Sequence, residues 1–99
     1  MKTQAIIIAL CLSLPLISSA QAGGDTAAGK VKSGICASCH GTDGKGNIPL
    51  TGKSEDYLAQ KLRDYKTRTL KNAMMNMLAA KLSDDDINNL AAYYSEKPK

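Results

Sequence analysis

The segment Cys36-Ala37-Ser38-Cys39-His40 holds the densest chemistry in the chain. Two thiols three positions apart, followed at once by an imidazole, fit covalent attachment of haem c. Each sulfur can add across one vinyl group of the porphyrin, and the histidine then lies under the iron as an axial ligand. A short helical stretch would present both sulfurs to one edge of the ring. His40 is the sole histidine among 99 residues, so no other imidazole competes. Two other readings are weaker. A redox dithiol wants a strand–helix–strand setting, and no strand pattern precedes Cys36. Structural zinc takes four Cys or His ligands, whereas the chain beyond Ala22 offers only Cys36, Cys39 and His40.

Six-coordinate iron needs one more ligand. The candidates are Met74, Met75 and Met77, which follow His40 by 34 to 37 residues. Methionine in a core ordinarily fills gaps. Here, however, the three are the only methionines beyond Met1, and all fall in one loop-like stretch. A thioether favours soft low-spin iron and raises its potential relative to harder ligands. At this point the residues leave open which of the three binds.

The elements that must position these groups lie in a short domain. Met1-Lys2 supplies a positive start, and Ala5 to Ile17 is apolar apart from Ser13 and Pro15. Ala20-x-Ala22 then matches a signal-peptidase site. The apolar run is too short for an ordinary membrane span. The expectation is a signal peptide over 1–22, removed after Ala22 together with Cys11, and a periplasmic domain over 23–99 without stable membrane insertion. That domain has 77 of the 99 residues, no Phe, no Trp and four tyrosines. A protein core alone is marginal at this size. A bound macrocycle would supply the missing apolar surface.

Charge excludes some partners. Thirteen Lys+Arg stand against nine Asp+Glu, and removal of Lys2 leaves a net charge of +3. Two haem propionates would lower this to about +1. No dense basic run marks a nucleic-acid footprint. Lys30, Lys32, Lys61, Arg63, Lys66, Arg68 and Lys71 are scattered between Gly29 and Asn72. Near an exposed haem edge some of them could steer docking to acidic partners.

The helices follow from caps and periodicity. Asp25 can cap a first helix from Thr26 to about Ala37, carrying the haem cysteines. Gly29 inside it is costly for a helix unless another backbone comes close there. Gly41 to Gly52 is loop. Ser54-Glu55-Asp56 opens a second helix, with Leu58, Leu62 and Tyr65 on its core face. Thr67 to Met75 reads as loop or broken helix, and Met77 to Lys81 as a short turn. Ser83 caps a last helix, with Asp86 near the capping-box position and Ile87, Leu90, Ala91 and Tyr94 as its buried stripe. The fold is all-α, with three main helices and long loops.

These features together resemble the class I cytochromes c, in their small soluble monohaem bacterial forms and in one half of their dihaem forms. The resemblance covers nearly all of Gly23 to Tyr94. It rests on Ala28-Gly29-Lys30, the CASCHGTDGKG stretch, Ile48-Pro49-Leu50, Ser54-Glu55-Asp56-Tyr57-Leu58, Met74-Met75, and Leu82 to Ile87 leading to Leu90-Ala91-Ala92-Tyr93-Tyr94. It implies that the ligand methionine is Met75, eight residues before the capping Ser83. It also implies that the carbonyl of Pro49, or of Ile48, accepts the second imidazole N–H of His40. Such a partner would fix the ring. The first and last helices should cross near Gly29. Lys32 departs from the pattern, because many relatives carry an aromatic there.

The expected function is single-electron transfer. With His40 and Met75 on the iron, no position is open for oxygen or substrate. No paired catalytic carboxylates, nucleophile with base, or phosphate loop is visible, so the chain reads as a carrier rather than an enzyme. Its partners would be redox donors and acceptors that dock transiently with a monomer. If no methionine binds, the alternative is a haem-based gas sensor or weak peroxidase.

Overall fold

The computed structural model describes residues 23–97, so the expected signal segment and its cleavage site lie outside the described residues. Asp25 caps α1 (Thr26–Lys32), its carboxylate accepting from the backbone N–H groups of Ala27 and Ala28. The helix does not run on to Ala37. A tight 3-10 turn at Ser33–Ile35 follows, and the short helix α2 (Ala37–His40) then carries Cys39 and His40. Ser33 and Gly34 account for the break. The Ser33 hydroxyl donates back to the Lys30 carbonyl, and serine and glycine are poor at propagating a helix. Gly41 ends α2 in the left-handed region, with φ of 79°.

Ser54 caps α3 (Glu55–Lys66), its hydroxyl accepting from the Tyr57 N–H. Glu55 and Asp56 fall in the first turn, where acids suit the helix dipole. The segment expected as loop and turn is instead one two-turn helix, α4 (Ala73–Ala80), which includes all three candidate methionines. Asn72 nucleates it by accepting from the Met75 N–H, and the alanines and long methionine side chains that follow suit a helix. The last helix, α5 (Asp84–Ser95), opens on a complete capping box between Ser83 and Asp86. The hydrogen bond from the Ser83 N–H, aided by Lys32 at 3.5 Å, holds the Asp86 carboxyl below its usual range.

The core forms where α5 meets α1 and α3, and where α3 meets α4. Leu58 and Ala59 of α3, Ala79 of α4, and Ile87, Leu90 and Ala91 of α5 are buried together. Leu62 and Tyr65 pack against them from α3. Fully burying a side chain the size of Ile87 stabilises by about 1.5–3 kcal/mol. Gly29 lies where α1 crosses α5. A Cβ there would lie 2.0 Å from the Asn89 carbonyl oxygen and 2.8 Å from the Tyr93 Cβ. That contact explains why glycine is tolerated inside a helix it weakens. Among the described residues there is no strand, and no helix is long and apolar enough to cross a membrane.

Candidate functional site

A cavity of about 490 Å³ lies between α2, the 48–53 loop, α3, α4 and α5. Its size falls in the range of roughly 300–1,000 Å³ seen for cofactor sites. Its walls are mostly apolar, with Leu50, Leu58, Leu78 and Leu82 among them. Cys36, Cys39, His40 and Met75 all line it. Aliphatic walls alone would suit any apolar ligand; two thiols, an imidazole and a thioether together make a donor set for an iron porphyrin.

The short helix α2 fixes the pentapeptide. The His40 N–H bonds the Cys36 carbonyl at 2.9 Å and the Gly41 N–H bonds the Ala37 carbonyl at 2.8 Å. Cys36 is half-buried and Cys39 exposed. Burial pushes the Cys36 thiol above its ordinary value. His40 is buried, and its Nδ1 lies 2.6 Å from the carbonyl oxygen of Ile48. A carbonyl only accepts, so Nδ1 must donate its hydrogen. Nε2 then carries a free lone pair, the form a metal ligand requires. The acceptor is Ile48 and not Pro49. The Ile48 N–H bonds the Cys39 carbonyl at 3.0 Å, which brings residue 48 back across the ring of His40. Pro49 contributes to the cavity wall instead.

The methionines separate by position. Met75 is partly buried and lines the cavity. Met74 also reaches the cavity but is 55% exposed, and Met77 is 50% exposed and lies outside the lining. One buried side chain holds their helix in place. Asn76 Nδ2 donates to the carbonyls of Tyr65 and Leu70, and Oδ1 accepts from the Asn72 N–H. It therefore ties the end of α3 and the following loop to the start of α4. Sequence reasoning passed over Asn76. The available signal was its place as the one polar residue within Ala73–Ala80.

Two tyrosines of α5 fasten the turn that follows His40. The Tyr94 hydroxyl donates to the Gly41 carbonyl at 3.0 Å, and that of Tyr93 donates to Thr42. Their rings meet edge to face with centroids 5.0 Å apart. Tyr94 is buried, and this burial, with the nearby Cys36 and Tyr93, pushes its phenol up to about 12.

Residues 23–93 match the family described as cytochrome C oxidase, cbb3-type, subunit III. Cytochrome c-554(548) of Halomonas halodenitrificans is 46% identical, over 75% of this chain and 98% of that protein. The chain belongs to the class I c-type cytochromes. Cytochrome c4 of Pseudomonas aeruginosa is 36% identical over 93% of the chain but only 48% of its own length. The crystal structure of reduced recombinant cytochrome c4 from Pseudomonas stutzeri superposes with a TM-score of 0.69 and 33% identity, covering 75% of this chain and 46% of that one. The chain thus spans nearly all of cytochrome c-554(548) and about half of the cytochromes c4. As a c-type cytochrome it is an electron-transfer protein with covalently attached haem c. The cavity fits that group in size, polarity and donor set.

Proposed function

We propose that residues 1–22 are removed on export and that Gly23 to Lys99 works in the periplasm as a single-electron carrier. In this reading Cys36 and Cys39 hold the porphyrin, and His40 and Met75 hold the iron. The observation that carries it is that these four side chains line one apolar cavity, while Met77 does not. Bound haem c supplies one-electron iron chemistry. The Ile48 carbonyl orients His40 and makes it a better donor, as an outer partner does for a metal-bound histidine. Asn76 and Asn72 hold the helix that presents Met75. A rigid pair of ligands changes little between oxidation states, and the apolar walls keep water out. With His40 and Met75 both holding the iron, the chain would carry electrons rather than catalyse a reaction.

Docking is transient in this reading. Ile35, Ile48 and Met74 are all partly exposed and line the cavity. Of the scattered cations, Lys66 is bonded to the Leu82 carbonyl and Lys32 pairs with Asp86. A largely apolar mouth predicts only a modest salt dependence of transfer to an acidic partner.

The test joins mass and spectrum. The intact mass of the exported protein should correspond to a Gly23 start plus one haem that survives acid-acetone extraction. Met75→Ala should lose the weak far-red band of Met–iron ligation, lower the potential, and open the iron to cyanide. Met74→Ala and Met77→Ala should keep the band. Since both are half-exposed, their stability losses should fall below the roughly 2–5 kcal/mol of buried truncations. A normal far-red band in Met75→Ala, with loss in either of the others, overturns the assignment.

A further inference from the structure

We propose that the α-ammonium group freed by removal of residues 1–22 is received by the Glu55 carboxylate, and that this new ion pair locks the N-terminal arm across α3 and α5. This rests on the processing reading above.

Residues 23–25 precede α1, yet they are tied to two other helices. The Gly24 N–H donates to Glu55 Oε2 at 2.9 Å, and the Asp25 N–H donates to Asn89 Oδ1 at 2.8 Å. The arm thereby fastens the start of α1 to the first turn of α3 and to the middle of α5. The fit is close. A Cβ at Gly24 would run into the Asn88 carbonyl. One at Gly23 would overlap both carboxylate oxygens of Glu55, with Oε1 at 2.9 Å. Two successive glycines are thus required by what lies against them.

The surroundings of Glu55 point to a cation. The residue is half-buried, and one of its oxygens accepts from Gly24. Among the described residues no lysine or arginine pairs with it, because the one ion pair there is Lys32 with Asp86. A carboxylate drawn out of water is costly unless its charge is met. This carboxylate lies against the Cα of Gly23. The Gly23 nitrogen is one bond, about 1.5 Å, from that carbon. In the uncut chain this nitrogen is a neutral amide. Hydrolysis of the Ala22–Gly23 bond adds the hydroxyl of water to the Ala22 carbonyl carbon and a proton to the nitrogen. The amine so formed takes up a further proton near neutral pH. A charge-assisted bond to the carboxylate then becomes available where only a neutral one existed. The cut creates the partner that Glu55 lacks, so the arm holds α1 in place more firmly after processing than before it.

The test uses the haem-loaded exported protein. Intact mass first fixes the start of the chain. A start other than Gly23 overturns the processing reading, and the latch with it. With Gly23 first, transamination with pyridoxal phosphate converts the terminal amine to a carbonyl and leaves the lysines charged. Hydrogen-exchange protection of the Asp25 amide and the denaturant midpoint are then read with and without the amine, in the wild type, Glu55→Gln and Asp56→Asn. Both acids lie in the first turn of α3, so Asp56→Asn controls for loss of an acid there. Loss of the amine should lower Asp25 protection roughly two- to fivefold in the wild type and in Asp56→Asn, the scale of a partly exposed ion pair. The midpoint should fall with it. In Glu55→Gln, loss of the amine should change neither. With Gly23 confirmed as the first residue, an equal loss in Glu55→Gln, or no loss in the wild type, overturns the latch and leaves the processing reading standing.

Discussion

Asn76 shows how much one polar side chain can hold. Replacing it with alanine leaves the Tyr65 and Leu70 carbonyls and the Asn72 N–H without their partner. A buried group so orphaned costs about 1–3 kcal/mol. The more specific consequence is local. The helix that presents Met75 loses its tie to α3 while the rest of the core keeps its packing. In Asn76→Ala the far-red band should therefore vanish at a lower temperature than the helical circular dichroism, whereas in the wild type the two should fall together. Coincident melting in the variant would show that Asn76 serves global stability only. At this scale Cys36, Cys39 and His40 were legible because their spacing is itself the chemistry. The carbonyl facing His40 was not fixed by spacing. It depends on the backbone bond from Ile48 to Cys39, which pairs groups nine residues apart.

At the scale of elements, legibility followed the caps. α3 and α5 begin where Ser54 and Ser83 precede acidic residues, because a side-chain acceptor and the helix dipole act on the same few residues. α4 escaped notice because its run of alanine and methionine has no polar face to set a period, and Asn72 is a cap without acids behind it. α1 ended early for the opposite reason, since Ser33 supplies an alternative partner for the backbone inside an otherwise continuous pattern. The two glycines of this region should respond differently to alanine. In Gly29→Ala the new Cβ meets the Asn89 carbonyl, a backbone atom that cannot swing aside. The α1–α5 crossing should open, at the overpacking cost of about 1–3 kcal/mol or more. Gly34→Ala meets nothing within 4 Å and should be neutral, or stabilising by up to about 1 kcal/mol. Thermal unfolding of the two haem-loaded variants decides this, and equal losses would refute the crossing argument.

The molecule as a whole has a thin core. Among the described residues, Ile87, Leu90 and Ser33 are its largest fully buried side chains. The apolar cavity lies directly against that core, with Leu58, Ala79, Leu82, Leu90 and Ala91 shared between them. Tyr94 then matters beyond its local bond, because its protonation is coupled to folding. Its phenol has an ordinary value of 10.0 and is held at about 12 in the fold. The raised value means the fold favours the neutral form, so its contribution is complete below about 10 and is lost as pH rises through about 12. Denaturant midpoints should therefore fall over that window. Tyr94→Phe should begin lower, having lost the bond to Gly41, but decline less steeply, because the phenol whose protonation is coupled to folding is gone. Parallel curves for the two proteins would rule out Tyr94 as the coupled group.

The bonds from Tyr93 and Tyr94 join residues 51 and 53 positions apart, from the last helix to the turn just after His40. A chain synthesised from its N-terminus delivers residues 36–40 before the α5 residues that latch that turn. Closing so long a loop costs chain entropy that a short local contact does not. The turn that follows the two thiols and His40 is thus held by the part of the chain that is made last. Timing, as much as shape, is written into the placement of those tyrosines at the far end of the chain.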